Sequence, residues 1–512
     1  MGVLKRTNGG KSTKLYQVFY PDGACVFYYI SVVPSFSIAY HESVRYSRRS
    51  VGDPVTLHWE QRMPPDKSYP GAKRYSIAEN HAAPVDGDLF SLVGAPSSML
   101  NRLFSQLQND VCADGLRSIG VYALLQGQRV PDGLYYFDSC AGELVALPVG
   151  GSAGAANAKA RRANIESLCA AFPTGDFIRE ANITLFFTGI FDRIVWRYKE
   201  AAYRELQLDA GSYAGLVSIL ARSLGGTAIP FSAFVDDDVA VALGLSPSEV
   251  PLAALSIMPK ALKKYETVSE FAYSNRSEIP ETASNGNRYM ARFFMQNRVE
   301  CITDLSRCMK VCRVVNQPVS GEEFPLTPLK FPNEYFFREY EFLGPGAVSF
   351  RSFKPWKASL DDFSTVLRWM EICNLNSFGA GLLKIWVVSF DVQLVYPGMY
   401  RYLPLKKTLY LRTNFNDREK FAKCHLSGDA VKNVSFAVVF SADMEEACKV
   451  LGERAYRYLN MNAGYVAEML RESARGLGKF ARREPFFCEE DLKKTCRFPE
   501  NETLLCEVLV GR

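Results

Sequence analysis

The sequence predicts an α+β protein in which two related modules pack as a pseudo-dimer within one chain, behind a small β-rich element. Three observations predict this fold. A segment near residue 203 recurs near residue 456, strand-type runs alternate with helical patterns in both halves, and the chain of 512 residues is 48% hydrophobic. A chain of this size and composition can bury two ordinary cores. We therefore expect two modules of one fold.

The repeat consists of Ala202–Gly211 and Ala455–Gly464, which share the pattern Ala-Tyr-Arg-x-Leu-x-(Leu/Met)-(Asp/Asn)-Ala-Gly. The offset is 253 residues, and at the same offset Phe234 falls on Phe487. The two copies align without a gap from Glu200 to the strand-type run that ends the first module. Matches in a fixed register over such a length indicate a duplicated module.

Residues 1–80 are predicted to form a β-rich N-terminal segment that leads into the first module. Leu15–Tyr20 and Ala24–Val33 are strand-type runs separated by Pro21-Asp22-Gly23, which is typical of a hairpin. His41 follows, and we expect it to be a surface or helix-capping histidine. The chain has only four histidines, so a histidine-based metal site or triad is not expected.

Residues 81–260 are predicted to form the first module. Ser97–Leu107 has helical spacing, with serines at the capping position. The predicted strands of this module are Val121–Leu125, Gly133–Phe137, Asn182–Gly189 and Leu252–Ile257.

Residues 261–341 are predicted to be a linker or lid, because Ser274–Asn287 is polar and rich in Gly, Asn and Ser. Residues 342–512 are predicted to form the second module, and its Ser359–Leu367 segment is a capped amphipathic helix with acids in the first turn. The strands that correspond to those of the first module are Ile385–Val388, Gly398–Tyr402, Val434–Phe440 and Leu504–Arg512.

Composition limits the classes of partner and compartment. The net charge is +5 without any long block of like charge, so nothing indicates a nucleic-acid partner. Thirteen cysteines without a CxxC motif are typical of a reducing compartment and show no zinc-site spacing. The N-terminus lacks a secretory pattern and no apolar run approaches membrane-spanning length. We therefore expect a cytoplasmic protein without a membrane partner.

The repeat also resembles a known family. Arg197–Arg204 followed by Asp209-Ala210-Gly211 is similar to the central helix of SagB/McbC/ThcOx-type dehydrogenases, and Gly452–Gly464 resembles the same motif. These are flavin-dependent enzymes of the nitroreductase-like fold that oxidise thiazolines and oxazolines in peptides to azoles. The resemblance implies this fold for both modules and FMN as the cofactor. It also implies a peptide substrate, delivered by a cyclodehydratase during peptide natural-product maturation.

The resemblance assigns cofactor-binding residues in the second module. The family's phosphate clasp is an Arg-Arg-Ser-x-Arg-x-Phe-like motif, and this chain retains Ser349, Arg351 and Phe353 without the leading arginines. Arginine is suited to a phosphate because it supplies two donors in a fixed geometry. Arg512 corresponds to a terminal basic phosphate ligand, and Gly478 to backbone that approaches the isoalloxazine ring.

The first module lacks such a clasp. Its equivalent stretch, Ala83–Gly94, contains no Lys or Arg and carries Asp86 and Asp88, which would repel a phosphate. We therefore expect at most one FMN per chain, held chiefly by the second module. The family's ring-contacting segment corresponds to Arg117–Gly120 and Asn376–Ala380, and neither keeps the family pattern.

The resemblance also assigns catalytic residues. Azoline oxidation removes a Cα proton and a hydride, so it needs a base beside the flavin. The family's Lys-Tyr pair corresponds to Arg197 and Tyr198, and an arginine stays protonated. Tyr198 can act as the base where Arg197 favours the phenolate, and Lys199 is a neighbouring substitute. The corresponding pair of the second module, Val450-Leu451, has no acid-base chemistry.

Alternatives to this reading stay open. If these residues are not catalytic, Arg197 and Lys199 are solvated charges on a helix and Tyr198 is a half-buried packing residue. The same fold is also compatible with two other functions. The first is a different flavin oxidoreductase that acts on a small molecule or an amino-acid derivative. The second is a non-catalytic protein that binds a peptide or a partner enzyme.

Overall fold

Two seven-stranded antiparallel sheets, one in each half of the chain, form the framework of the protein. The computed structural model describes residues 3–8, 11–19, 25–31, 35–46, 67–77, 96–109, 116–128, 130–147, 165–172, 175–223, 226–259, 323–326, 352–372, 380–404 and 406–512. Within these residues, no helix combines the length and apolar character needed to cross a bilayer.

A separate three-stranded sheet lies at the N-terminus. Its antiparallel strands are β1 (Val3–Asn8), β2 (Lys11–Phe19) and β3 (Cys25–Ser31). The register pairs Phe19 with Cys25, which confirms the predicted hairpin.

The two large sheets have the same strand order. The strands of the first sheet are β4 (Arg74–Ser76), β5 (Ile119–Leu125), β6 (Gly133–Asp138), β7 (Glu143–Ala146), β8 (Ile183–Ile190), β9 (Gly226–Phe231) and β10 (Glu249–Pro259). Those of the second sheet are β11 (Glu323–Pro325), β12 (Lys384–Ser389), β13 (Gly398–Leu403), β14 (Thr408–Asn414), β15 (Phe436–Ala442), β16 (Phe480–Arg483) and β17 (Thr503–Gly511). The spatial orders are β4-β7-β6-β5-β8-β10-β9 and β11-β14-β13-β12-β15-β17-β16. The same fold is thus built twice, as the repeat predicts.

Helices cover the sheets. They are α1 (Phe36–Val44), α2 (Pro96–Asn109), α3 (Gly175–Glu180), α4 (Phe191–Tyr198), α5 (Ala202–Ser223), α6 (Asp236–Leu243), α7 (Leu360–Ile372), α8 (Arg418–Ala422), α9 (Gly428–Val431), α10 (Met444–Leu451), α11 (Ala455–Gly476) and α12 (Glu489–Cys496). Residues 165–170 are also helical. The predicted helices near Ser97 and Ser359 are confirmed as α2 and α7, and the Ser359 hydroxyl accepts the Asp362 N–H at 3.0 Å.

The two long helices α5 and α11 pack against each other at the centre of the molecule. Each is 22 residues long, and they are related by the offset of the repeat. A Cβ added to Gly211 would overlap the carbonyl oxygen of Met461, and one added to Gly464 would overlap that of Leu208. The glycine that ends each repeat therefore lets the two helix backbones approach, and the modules form the predicted pseudo-dimer around this crossing.

Edge strands of both sheets come from segments outside the predicted modules. β4 belongs to the predicted N-terminal segment 1–80 and pairs with β7. β11 belongs to the predicted linker 261–341 and pairs with β14. Most of that linker lies outside the described residues, and the domain boundaries stay predictions.

Helix α1 connects the modules. The Glu453 carboxylate accepts the N–H groups of Phe36 and Ser37 at 3.1 and 2.7 Å, so an acid of the second module caps α1. Tyr40 is fully buried between Tyr203 and Tyr456, the tyrosines of the two repeats, with ring centroids 6.3 and 5.4 Å away.

His41 lies on the buried face of α1. Its Nε2 is 2.8 Å from Glu489 Oε2 and its Nδ1 is 3.3 Å from the Tyr456 hydroxyl. The expectation of a surface or capping histidine is therefore wrong, because the docking of α1 between the modules covers this side chain, which is 4% exposed.

Candidate functional site

The three predicted catalytic residues lie at a break between two helices. Arg197 and Tyr198 end α4, a 3-10 turn spans Lys199–Ala201, and α5 then begins. The single central helix expected from Arg197 onward is wrong, because Lys199 has φ 49° and ψ −127° and interrupts it. Gly452 occupies the same position of the second module with φ 64°.

Tyr198 lies against the second module. Its ring stacks on Phe486 with the centroids 5.6 Å apart and the planes 9° from parallel. The Arg197 guanidinium lies 5.6 Å from the Tyr198 ring centre and 5.4 Å from that of Phe486. Tyr46 approaches the other side of this group, 5.2 Å from Phe486. Lys199 is exposed beside it. The predicted catalytic residues of one module thus meet the segment that follows β16 in the other.

Arg483, the last residue of β16, ties this segment to the first module. Its Nη2 lies 2.5 Å from Asp209 Oδ1 and 3.6 Å from Glu205 Oε2. The Ser118 hydroxyl, in the predicted ring-contacting segment, donates to Asp209 Oδ2 at 2.8 Å. Burial lowers the pKa of Arg483, but Asp209 and Glu205 outweigh burial and raise that pKa above its usual range, so the guanidinium is charged.

The predicted cofactor residues lie at the opposite end of β16. β16 pairs Phe480 with Gly511, so Gly478 and Arg512 both lie just beyond this end of the two paired strands. Gly478 has φ 67°, and among the described residues no heavy atom lies within 4 Å of a Cβ added there. The Lys354 N–H donates to the Arg512 carbonyl at 2.6 Å. Arg512 is exposed.

Two of the four predicted cofactor residues are therefore brought together, and the other two are not described. Ser349 and Arg351 lie outside the described residues, but Lys354, three positions after Arg351, contacts Arg512. The predicted approach of Gly478 to the ring stays a prediction, and the whole of β16 separates this glycine from Tyr198.

β16 thus connects a cationic end to an aromatic end. Its four residues span about 10 Å at roughly 3.3 Å per residue. An elongated ligand with a phosphate at one end and a planar ring at the other fits this arrangement. Sequence reasoning missed Phe486 and Arg483. The signal for both was a departure of the second module from the first, which has Ala233 and Pro230 at these positions.

A buried ion cluster also joins the modules at Asp236, which corresponds to Glu489 of the second module at the offset of the repeat. Arg457 Nη1 lies 2.6 Å from Asp236 Oδ1, and Arg454 contacts the other carboxylate oxygen. Arg457 Nη2 also donates to the carbonyls of Pro251 and Leu252 at 2.8 and 2.6 Å. The terminal N–H groups of Arg457 are thus bound to protein acceptors.

Comparisons with known proteins agree with this fold. Residues 149–257 match the nitroreductase family. A protein of Methanocaldococcus jannaschii named "putative nitroreductase" is 25% identical over 126 residues, which are 25% of this chain and 64% of that protein, less than two thirds of its length. A crystal structure of an Anabaena variabilis protein described in the same words superposes with a TM-score of 0.73 over 94% of this chain and 99% of that one, at 17% identity. At that identity the likeness shows the fold alone.

A second structure, the Escherichia coli microcin synthetase McbBCD complex with a truncated pro-MccB17 bound, matches 32% of this chain and 64% of its own at 18% identity. Its TM-score of 0.26 is too low to support an argument. The chain therefore has the nitroreductase-like fold in two modules, and residues 149–257 match the nitroreductase family model.

Proposed function

We propose that this chain with a nitroreductase-like fold is an FMN-dependent oxidoreductase that binds one FMN along β16 of its second module. The observation that carries the proposal is the convergence on one strand of residues from both modules. Arg197 and Tyr198 lie at one end of β16, and Gly478 and Arg512 lie at the other. FMN, when bound, supplies a hydride acceptor.

The phosphate end is formed by cationic and open backbone groups. Arg512 is exposed, and at the same end of the paired strands no heavy atom of the described residues lies within 4 Å of a Cβ added at Gly478. Ser349 and Arg351 precede the described segment that contacts Arg512, and we propose that they complete the phosphate clasp. We propose that the Gly478 backbone lies against the phosphate end of the ligand.

At the ring end, Tyr198 is the proposed proton acceptor. The guanidinium of Arg197 lies over the Tyr198 ring and stays charged, so it favours the phenolate and stabilises negative charge that develops beside it. Lys199 is exposed next to Tyr198 and is positioned to exchange protons with solvent or to bind an anionic group of the substrate.

For the substrate, we propose a thiazoline or oxazoline in a peptide, by resemblance of the Arg197–Gly211 motif to SagB-type dehydrogenases. A cyclodehydratase is the class of enzyme that forms such rings and is the expected partner. A loss of two hydrogens from an azoline peptide, measured by mass spectrometry, tests this substrate. Reduction of another substrate without azole formation would instead favour a different flavin oxidoreductase.

The first experiment is an absorbance spectrum of the purified protein, with the released cofactor quantified per chain. We expect a flavin spectrum and no more than one FMN per chain. A colourless protein that takes up no added FMN would contradict the proposal.

One observation favours a second candidate, a non-catalytic binding protein. Tyr198 is 6% exposed and stacks on Phe486, so its ring face is covered by protein. If the protein binds no flavin but retains a peptide or a cyclodehydratase in a pull-down, this second function replaces the first.

A further inference from the structure

Phe486 covers the face of the proposed proton acceptor. Tyr198 is 6% exposed, and the Phe486 ring stacks on it with the two centroids 5.6 Å apart and the planes 9° from parallel. The Arg197 guanidinium lies 5.4 Å from the centre of the Phe486 ring, and the Tyr46 ring lies 5.2 Å from it. A substrate can therefore stack on this face of Tyr198 only after the Phe486 ring has left it.

This stack lies at the surface of the described part of the protein. Phe486 and Arg197 are half-buried, and Lys199 is exposed next to Tyr198. A ligand that takes the place of the Phe486 ring therefore comes directly from solvent and does not cross the core.

The backbone around Phe486 is fixed, so only its side chain can move the ring. The Leu426 N–H donates to the Phe486 carbonyl at 3.1 Å, and the Cys488 N–H donates to the Cys424 carbonyl at 2.7 Å. Phe487, the next residue, is buried in the core of the second module. A change in the position of the Phe486 ring is therefore a rotation about its side-chain torsions.

Leu426 offers a second resting place for this ring. The short antiparallel pairing of His425 with Phe487 places Leu426 directly opposite Phe486, so the two side chains project from the same face. Leu426 is 56% exposed. A Phe486 ring that rotates onto Leu426 covers apolar surface that is otherwise in water.

The fold itself does not require the stack of Tyr198 and Phe486. At the offset of the repeat, Tyr198 corresponds to Leu451 and Phe486 corresponds to Ala233, and both counterparts are buried. Aliphatic residues thus satisfy the same packing on the other side of the molecule. The stack coincides with the side that carries the candidate catalytic residues.

We propose that the face of Tyr198 beneath Phe486 is the binding place for the planar ring of the substrate, and that Phe486 is its gate. The Phe486 ring holds this place in the unliganded protein and rotates onto Leu426 when the substrate ring enters. The inference rests on the proposed function, which identifies the ring as that of an azoline. A planar ring replaces the contacts of Phe486 with Tyr198 and Arg197, whereas a puckered saturated ring does not.

The test uses two small probes, the planar 2-methylthiazole-4-carboxamide and the saturated thiazolidine-4-carboxamide. Ligand-observed NMR titrations give their dissociation constants. We expect the wild type to bind the planar probe at least about three-fold more tightly than the saturated one. We expect F486A, which recreates Ala233 of the first module, to lower the constant for the planar probe about three- to ten-fold, because no stack has to be broken before binding.

L426A has the opposite expected effect. It removes the resting place of the rotated ring, so we expect the constant for the planar probe to rise about two-fold or more. In the F486A background the same substitution has no effect, because Leu426 acts through Phe486. L394A is the matched control, since Leu394 of the second module is 85% exposed, and we expect it to change neither constant. The thermal unfolding midpoint verifies that each variant folds.

Three results would overturn the inference. In the first, F486A weakens binding of the planar probe, which makes Phe486 a direct contact of the ligand. In the second, L426A has the same effect with and without Phe486. In the third, the wild type binds both probes equally. FMN per chain is measured on the same samples, so a failure of the proposed function, seen as protein that binds no FMN, is distinguished from a failure of the gate.

Discussion

Tyr198 is the single hydroxyl on which the proposed proton transfer depends. Its ring contacts both Arg197 and Phe486, and a phenylalanine can also make these contacts. We therefore expect Y198F to bind FMN normally and to lose about 100-fold in turnover, the usual contribution of a positioned general base. Rapid-reaction kinetics of flavin reduction measures this.

Y396F is the control, since Tyr396 lies on the second module with 64% of its surface exposed. Full activity of Y198F would remove Tyr198 from the mechanism, and loss of FMN would indicate a packing role.

Lys199 combines an exposed side chain with a strained backbone. Its φ of 49° is in a region that suits glycine, and the second module has Gly452 there. We expect K199G to raise the thermal unfolding midpoint by relieving about 1 kcal/mol of strain, and to lower turnover if the amine takes part in the reaction.

G452K is the matched variant, because no heavy atom in the described part of the chain lies within 4 Å of a Cβ added at Gly452. It introduces the same strain without the proposed chemistry, and we expect it to lower the midpoint and leave turnover unchanged. A K199G protein that is less stable than the wild type would show that the lysine side chain itself holds the turn.

Each module contains a buried glutamate that binds a hydroxyl group and a lysine. Glu249 accepts the Thr188 hydroxyl at 2.5 Å and contacts Lys67, while Glu502 accepts the Ser441 hydroxyl at 2.7 Å and contacts Lys384. The glutamates and hydroxyls are related by the repeat, but the lysines come from unrelated positions. Pairing with a lysine offsets the cost of burying a carboxylate, so any element that delivers a cation there satisfies the same requirement.

At the scale of elements, the crossing of α5 and α11 is the contact that defines the pseudo-dimer. A Cβ on Gly464 would overlap the backbone of Leu208. Because backbone atoms cannot move aside as a side chain does, we expect G464A to destabilise the protein by about 1–3 kcal/mol. The thermal unfolding midpoint and the fraction of soluble protein measure it.

S212A is the control at the same crossing. It removes only the hydrogen bond from the Ser212 hydroxyl to the Gly464 carbonyl, which is 3.3 Å long, and we expect a loss within about 1 kcal/mol. If G464A and S212A lower the stability by the same amount, helices α5 and α11 can move apart at the crossing without a free-energy cost.

Helix α1 shows how a single copy of an element serves both modules. Tyr40 lies between Tyr203 and Tyr456, and its hydroxyl donates to the Glu200 carbonyl at 2.5 Å. Helix α1 and its His41–Glu489 contact thus make the two sides of the molecule unequal.

At the scale of the whole molecule, the two sides differ in charge. The second-module side has an exposed Arg512, whereas the first-module side has Pro259 at the same position of the repeat and no Lys or Arg in Ala83–Gly94. We expect one FMN per chain or less, and we expect R351A to remove FMN from a protein that remains folded.

R412A is the control for this prediction, because Arg412 is an exposed arginine of β14 in the same module. Released flavin per chain and circular dichroism measure the outcome. An R351A protein with normal FMN occupancy would refute the placement of the clasp, and two FMN per chain would refute the assignment of a single site.

The sequence by itself determined that two modules of one α+β fold are present, where most of their strands and helices lie, and which residues recur. These features depend on local periodicity and on a register that stays constant over the repeat. The sequence shows that Gly211 and Gly464 recur in the repeat, but it does not show their role at the helix crossing.

Only the tertiary structure decided which side chains meet. Tyr198 lies on Phe486, Arg483 on Asp209 and His41 on Glu489, pairs that are hundreds of residues apart and belong to different modules or elements. Such contacts depend on how two packed modules are oriented, and no local pattern encodes that orientation. Arg482 Nε and Nη1, which have no hydrogen-bond partner among the described residues, were equally hidden, because burial and hydrogen-bond satisfaction are properties of the folded chain.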